Sequence, residues 1–483
     1  MSPAPASAHG SHGRAVAVLF GLAATLAGGV FVCPLAGIVA AGLTGALTLR
    51  PLEPITAVAV MAGAASFVSN EGGHLTRELS LVSITVVYAL VSLALARARG
   101  RWRAPGGPLV VALGAFLAWT AICAIRGALA GYTWRYAGLE LVALTMMAFA
   151  WGIGGLRLEA ADLRPARTIM VLFGLGHVGL GIWSYAVNHI RTGGVWYIPL
   201  PGMLAVMALA FALHAHRRRV RFGWTVLMGL FLLHQTISFS RGYWLGLMAA
   251  LPWTAFTYAG FGRGAAARWR RAGAIAVLAF SLAAVTTVAT SLVYGWSDLP
   301  QMLGTRFKSI GSMRNSSESA SNMERLLEYA YSFRLIRETP WFGRGMGYEL
   351  RIRNPIYHVV TRQWFVHHTY LWIWLKQGLV GLVLLLVLLW QAWRVGLRGA
   401  RAPDGEGAAW CLTAAGATLF LSVVDLTTFH LAQVDATTFQ TLLWGFALAL
   451  SRPAHMRLVW RASPRALAAG SALPSPGGGG VTG

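Results

Sequence analysis

The sequence predicts an all-α, polytopic integral membrane protein, and three observations predict it. Hydrophobic residues make up 56% of the chain and charged residues only 12%, with a mean hydropathy of +0.58, a balance foreign to a soluble globule. Apolar runs close to the ~20 residues that a helix needs to cross a hydrocarbon core recur along the chain. These runs are built of Gly, Ala and Leu without period-2 alternation, so helices rather than a barrel satisfy the backbone in lipid.

The runs fall at 15–32, 53–69, 79–96, 108–126, 137–154, 167–187, 196–214, 222–239, 242–260, 272–293, 369–393, 408–425 and 434–451. With an ambiguous shorter run at 35–49 they give about 12–14 transmembrane helices. The first run reads as a retained span, because no cleavage site separates it convincingly from the next. The chain therefore divides into N-terminal transmembrane helices (1–294), one large loop (295–366), C-terminal transmembrane helices (367–452) and a tail (453–483). Rich in Ala, Gly, Pro and Ser, that tail is expected to be disordered and cytoplasmic.

A net charge of +24 raises the question of nucleic acid, and its distribution answers no. Arg97, Arg99, Arg101 and Arg103; Arg217, Arg218, Arg219 and Arg221; Arg263, Arg268, Arg270 and Arg271; Arg394, Arg398 and Arg401; and Arg457 and Arg461 all fall in every second connection. By the positive-inside rule these connections are cytoplasmic. Both termini then lie inside, and the segments around Arg135, Arg191, Arg241, 295–366 and 426–433 face outward. Cys33, Cys123 and Cys411 lie in or beside apolar runs without metal-ligand spacing, so neither a disulfide framework nor a zinc site is expected.

Most connections are short, and the loop 295–366 is long, as functional loops are. Ser321 followed three residues on by Glu324 is a capping-box pattern. Met323, Leu326, Leu327, Ala330 and Tyr331 then follow at helical spacing up to Thr339-Pro340, predicting an amphipathic helix near 322–338. Arg334 continues the face of Met323, Leu327 and Tyr331, where it either snorkels or meets an anion. Next comes Trp341-Phe342-Gly343-Arg344-Gly345-Met346-Gly347, either a plain turn or a loop whose N–H groups approach a phosphate.

Arg191 and Arg241 stand at outward boundaries, where charge serves either as a snorkelling anchor or as a functional cation with a partner. Glu140, inside a span, has Arg135 as a possible mate. His177, His234 and His430 read as interior histidines, and no pair has metal-ligand spacing. The acids are few and scattered, which disfavours metal-assisted transfer and paired-carboxylate hydrolysis. His367-His368, at the point where the long loop re-enters the membrane, puts an imidazole at the water boundary beside that arginine-rich loop.

Taken together, His367-His368, nine residues, and Gly378-Leu379-Val380-Gly381, with Ser240-Arg241-Gly242 and the Arg325–Gly347 segment ending in Thr-Pro-Trp-Phe-Gly-Arg-Gly-Met-Gly, resemble the O-antigen ligase and O-antigen polymerase superfamily. The motifs cover 185–395, and the topology covers the whole chain. His368 stands where this family usually has Asn, Ser or Gln, so both His367 and His368 remain candidates for the catalytic imidazole.

The resemblance implies a C-type glycosyltransferase-like fold in the bacterial inner membrane with its active site facing the periplasm. It implies transfer of a glycan from a polyprenyl (undecaprenyl) diphosphate carrier to an acceptor hydroxyl, either on lipid A core (a ligase) or on another glycan unit (an O-antigen or exopolysaccharide polymerase). The residue chemistry suits that reaction. A histidine near the nucleophile serves as base, and arginine forks supply countercharge to a departing diphosphate. Arg191, Arg241, Arg334 and Arg337 are the candidates for the diphosphate, and Arg344, Gly345 and Tyr370 for a substrate loop. No metal or other cofactor is expected. Gly378 and Gly381 read as a packing pair that lets another helix approach.

Some polymerases of this kind carry an arginine followed after ten residues by glycine, as Arg191 to Gly202 and Arg334 to Gly345 do here, whereas a single large loop also suits a ligase. A polysaccharide exporter or lipid-linked-glycan flippase is the alternative from another class. Against it, no repeat is visible and the polar residues gather at the outer boundary rather than the midplane.

Overall fold

The computed structural model describes residues 53–65, 75–158, 160–188, 199–238, 240–260, 264–293, 316–353, 360–401 and 405–451. The expected runs at 15–32 and 35–49, Cys33, Arg191 and the tail from 453 lie outside the described residues. Each expected run from 53–69 onward contains a helix. In chain order these are α1 (Pro54–Ala65), α2 (Leu75–Ala98), α3 (Pro108–Leu129), α4 (Trp134–Met146), α5 (Ala148–Gly154), α6 (Ala160–Asn188), α7 (Leu200–His214), α8 (Arg218–Ile237), α9 (Arg241–Gly260) and α10 (Ala265–Val293). The loop contributes α11 (Ser316–Glu338) and an antiparallel hairpin, β1 (Leu350–Arg353) with β2 (Val360–Gln363), before α12 (Thr369–Ala400), α13 (Gly405–Val424) and α14 (Val434–Leu450). The run 137–154 is divided at Met147 into α4 and α5.

Among the described residues, five helical stretches are long and apolar enough to cross a membrane: Pro108–Leu129, Trp134–Gly154, Asp162–Ile182, Thr369–Ala400 and Gly405–Val424. The protein is an all-α polytopic membrane protein. Its centre is formed by α7, α13 and α14, which are buried along almost their whole lengths. Around them, α8 and α9 pack on α7, α9 and α12 on α13, and α5 on α14, while α3 packs on α12. With lipid tails as apolar as Leu, such packing depends on close approach. At Gly416 of α13 an added Cβ would lie 2.6 Å from Thr254 Oγ1 and 2.7 Å from Val206 Cγ1. Trp410 seals the same core edge-on against Phe211 and Phe446, at 5.4 and 4.8 Å between ring centroids.

The alternation of connections gives the bundle two unlike ends. At one, Arg101 bonds Glu53 at 3.0 Å and lies 3.5 Å from Asp162, and Arg167 pairs with Glu406 at 2.6 Å. All the described arginine clusters belong to this end. At the other end lie the turn at 131–133, the described parts of the large loop (316–353 and 360–366), the start of α12 and the connection 425–433.

The loop helix differs from its sequence pattern. Ser321 lies inside α11 rather than at its start, since the helix begins at Ser316. Its buried stripe is Glu328, Ser332 and Ile336, whereas Met323, Leu326 and Phe333 are exposed. Leu327 and Tyr331 pack partly buried against the core as the pattern expects, but the helix has also turned a carboxylate inward, which hydrophobic periodicity alone could not reveal.

Candidate functional site

The site is assembled where α11, the start of α12 and the connection 425–433 meet. Thr369 fixes the start of α12. Its N–H faces the carbonyls of Asp425 and Thr428 at 2.9 and 3.0 Å, and its hydroxyl donates to Asp425 Oδ1 at 2.7 Å. Just before it, Phe365 stacks on Phe429 at 4.1 Å. The His367 ring stands edge-on to both, 5.0 and 5.9 Å away.

Glu328 completes the arrangement. His367 Nδ1 lies 2.9 Å from Glu328 Oε2 and 3.0 Å from Oε1, and the His367 backbone N–H donates to Oε2 at 3.2 Å. The carboxylate is 3% exposed and the imidazole 30%. A carboxylate against Nδ1 holds the proton there, orients the ring and leaves Nε2 as the free acceptor. Tyr329, the next residue of α11, donates its hydroxyl to the His367 carbonyl at 3.1 Å. Burial pushes the Tyr329 phenol up, opposed by the nearby charge of Arg325.

His368 does a different job. It is the N-cap of α12, its Nδ1 accepting the Leu371 N–H at 3.3 Å. The short Asn or Ser oxygen that commonly fills such a cap is thus replaced by a ring nitrogen. Burial holds the His368 imidazole below the usual histidine range, in the neutral form that accepts this bond.

The other candidates are placed as follows. Arg241 opens α9 and is half-buried; an added Cβ at its neighbour Gly242 would lie 2.2 Å from Thr427 Oγ1. Gly242, the residue after Arg241, and His367 are therefore set against the same connection, Gly242 beside Thr427 and His367 beside Phe429. Arg334 and Arg337 are exposed on α11. Arg334 lies over the Tyr331 ring at 4.8 Å and lines a cavity of about 460 Å³ with Tyr132, Tyr348, Glu349 and Arg351. Neither His367 nor Arg241 lines that cavity. Arg344 is paired with Glu338 and lies over the Tyr348 ring at 5.6 Å. The Tyr370 hydroxyl is committed to the Ser422 carbonyl at 2.8 Å.

The glycine-rich turn is a structural splice rather than a phosphate cradle, because its N–H groups are spent within the protein. Gly343 donates to Thr339 O at 3.0 Å, Arg344 to Leu375 O and Gly345 to Lys376 O at 2.8 Å each, and Met346 to Cys123 O at 3.1 Å. Gly347 donates to Glu140 Oε2 at 2.7 Å. This splice fills a break in α12, where Gly378 has φ 73° and ψ −175°. An added Cβ at Gly378 would lie 2.1 Å from the Trp341 carbonyl oxygen, so the packing partner there is the loop and not a helix. Gly381 does approach a helix, with Trp119 of α3 3.3 Å from an added Cβ.

Glu140 is paired not with Arg135 but with Lys376, at 2.6 Å, both essentially inaccessible. Lys376 also donates to the Tyr348 carbonyl. Sequence reasoning missed Glu328, Tyr329, Arg325 and Lys376. The available signal was scarcity: with 16 acids in 483 residues, an acid within a loop helix and another within a span each needed a named partner.

Residues 226–386, from within α8 through the loop into α12, match the family model described as O-Antigen ligase. A comparison with curated proteins finds no match to the chain. The matched stretch contains Arg241, Glu328, His367 and the Gly378 break. Over this third of the chain the protein is similar to the O-antigen ligase family, a similarity that supports the general activity of a membrane glycan ligase or polymerase.

Proposed function

We propose that the protein transfers a glycan from a polyprenyl diphosphate carrier to an acceptor hydroxyl at the periplasmic face of the bacterial inner membrane. The observation that carries this reading is the His367–Glu328 pair at the end of the bundle opposite the arginine clusters. His367 Nε2 takes the proton of the acceptor hydroxyl as its oxygen attacks the anomeric carbon. The new C–O bond forms as the bond to the carrier diphosphate breaks, and the diphosphate leaves with the electron pair. Glu328 stabilises the imidazolium that results, as the carboxylate does in a Ser-His-Asp triad.

Arg241 is the described cation we assign to the departing diphosphate, because its neighbour Gly242 packs on the 425–433 connection that His367 also touches. Fixed cations near developing charge are the expected main source of acceleration. Arg325, one turn before Glu328 and acting on Tyr329, joins Arg334 and Arg337 as a candidate second cation; Arg344, already neutralised by Glu338, is a weaker one. Arg191 is kept as a candidate on its sequence position alone. The acceptor is lipid A core in a ligase and a glycan unit in a polymerase.

The test is a strain lacking the gene, restored with parent, His367→Ala or Arg241→Ala protein at matched membrane levels, with surface polysaccharide resolved by size. Carrier-bound long chains missing from the core identify a ligase, and single units on lipid A core identify a polymerase. A normal pattern from both variants sinks the transferase reading and favours an exporter.

A further inference from the structure

At the end of the bundle opposite His367, α8 and α10 flank a cavity of about 220 Å³ lined by Arg218, Arg221, Phe222, Arg271, Ile275 and Leu278. Its chemistry is divided along the helices. The three guanidinium groups belong to the helix turns nearest the connections, and the apolar side chains follow a residue to two turns further in. Phe222 and Leu278 are 60% and 45% exposed, so this apolar wall opens laterally to the membrane.

Two of the guanidinium groups are held in place by the end of α7. Arg221 donates through Nη2 to the Ala215 carbonyl at 2.9 Å. Arg271 donates through Nη1 to the Leu213 carbonyl at 3.2 Å and the Tyr258 hydroxyl at 2.9 Å. Arg221 Nε, in contrast, is buried with no hydrogen-bond partner, and a buried donor left unsatisfied is costly. Among the described residues no acid forms an ion pair with Arg218, Arg221 or Arg271, and the sequence has no acid between Asp162 and Asp298. Glu406, whose neighbour Gly405 faces His216, is engaged by Arg167 at 2.6 Å.

Orientation of the chain requires arginines on this face, but it does not require a cleft in which pre-positioned guanidinium groups stand above an apolar wall. We infer that this cleft binds an anionic glycerophospholipid of the adjacent leaflet, its phosphate held by Arg218, Arg221 and Arg271 and its acyl chains lying along Phe222, Ile275 and Leu278. Basic pockets between membrane helices suit such head groups. A soluble phosphate would leave the apolar wall bare; a lipid covers both parts.

The test is native mass spectrometry of the full chain released from phosphatidylcholine nanodiscs into which phosphatidylglycerol is titrated. The parent retains phosphatidylglycerol in preference to phosphatidylcholine. Arg221→Gln with Arg271→Gln weakens retention roughly 30-fold, two lost charges at the usual strength of a basic residue beside an anionic surface. Arg218→Gln leaves the contacts to α7 intact, weakens retention about fivefold and keeps the test decisive if the double variant does not fold. Retention by Arg218→Gln equal to that of the parent overturns the site. So does an equal loss in Arg394→Gln with Arg398→Gln, which lies on the same face outside the cleft and would mean diffuse attraction. Displacement of the lipid by inorganic phosphate at equal concentration would mean a soluble-anion site and equally overturns it.

Discussion

At the residue scale, two adjacent histidines have been given unlike tasks by their neighbours. His367 meets a buried carboxylate through Nδ1 and keeps Nε2 free; His368 spends Nδ1 on the first turn of α12. His367→Ala should therefore lower transfer by about 10²-fold or more, the usual worth of a positioned general base. Glu328→Gln should lower kcat by a similar order with little change in protein level, since it leaves the ring in place but loses the carboxylate that fixes its tautomer. His368→Asn should leave transfer near the parental rate, Asn being a good N-cap, and His368→Ala should cost about 1 kcal/mol of stability.

The same histidine gives a pH signature. Burial holds folded His368 below its unfolded value, so unfolding takes up a proton in the window between the two. Stability from this group is present above the ordinary histidine range and falls as pH drops through it. Melting temperatures between about pH 8 and about pH 5 should decline less steeply in His368→Asn than in the parent.

At the scale of elements, the end of the bundle that carries the candidate site is built around a helix broken at Gly378. The positive φ of Gly378 opens α12, and the loop 340–346 inserts its own backbone groups, with Leu379 N–H donating to Pro340 O at 2.9 Å. A side chain at Gly378 meets both an unfavourable φ and the Trp341 carbonyl, so Gly378→Ala should destabilise by about 2 kcal/mol or more, read as a lowered melting temperature in detergent. Beside the break, the buried Lys376–Glu140 pair ties α12 to α4 and, through Gly347, to the loop. Removing one charge strands the other, so Lys376→Met should cost about 3–5 kcal/mol. Glu140→Gln added to it should recover part of that loss, which a double-mutant cycle measures.

Over the whole molecule, the alternating arginine clusters, the long loop and the helical runs were legible in sequence because each is a local pattern: charge every second connection, ~20 apolar residues, one long connection among short ones. His367 and Arg241 stood out as candidates through motif and boundary position. Glu328 did not, because Met323, Leu327 and Tyr331 offered α11 an apolar face; Leu327 and Tyr331 do pack against the core, but Glu328, Ser332 and Ile336 lie deeper. The Lys376–Glu140 pair joins residues 236 apart by numbering, and no spacing rule reaches that far. The role of Gly378 also depended on seeing its φ.

The most direct test of the central claim is transfer in proteoliposomes, from a polyprenyl-diphosphate-linked glycan to its acceptor, by purified parent, His367→Ala and His368→Asn proteins. Transfer by the parent and His368→Asn with loss in His367→Ala is the expected result; transfer by His367→Ala at the parental rate would contradict the assignment of His367 as the base.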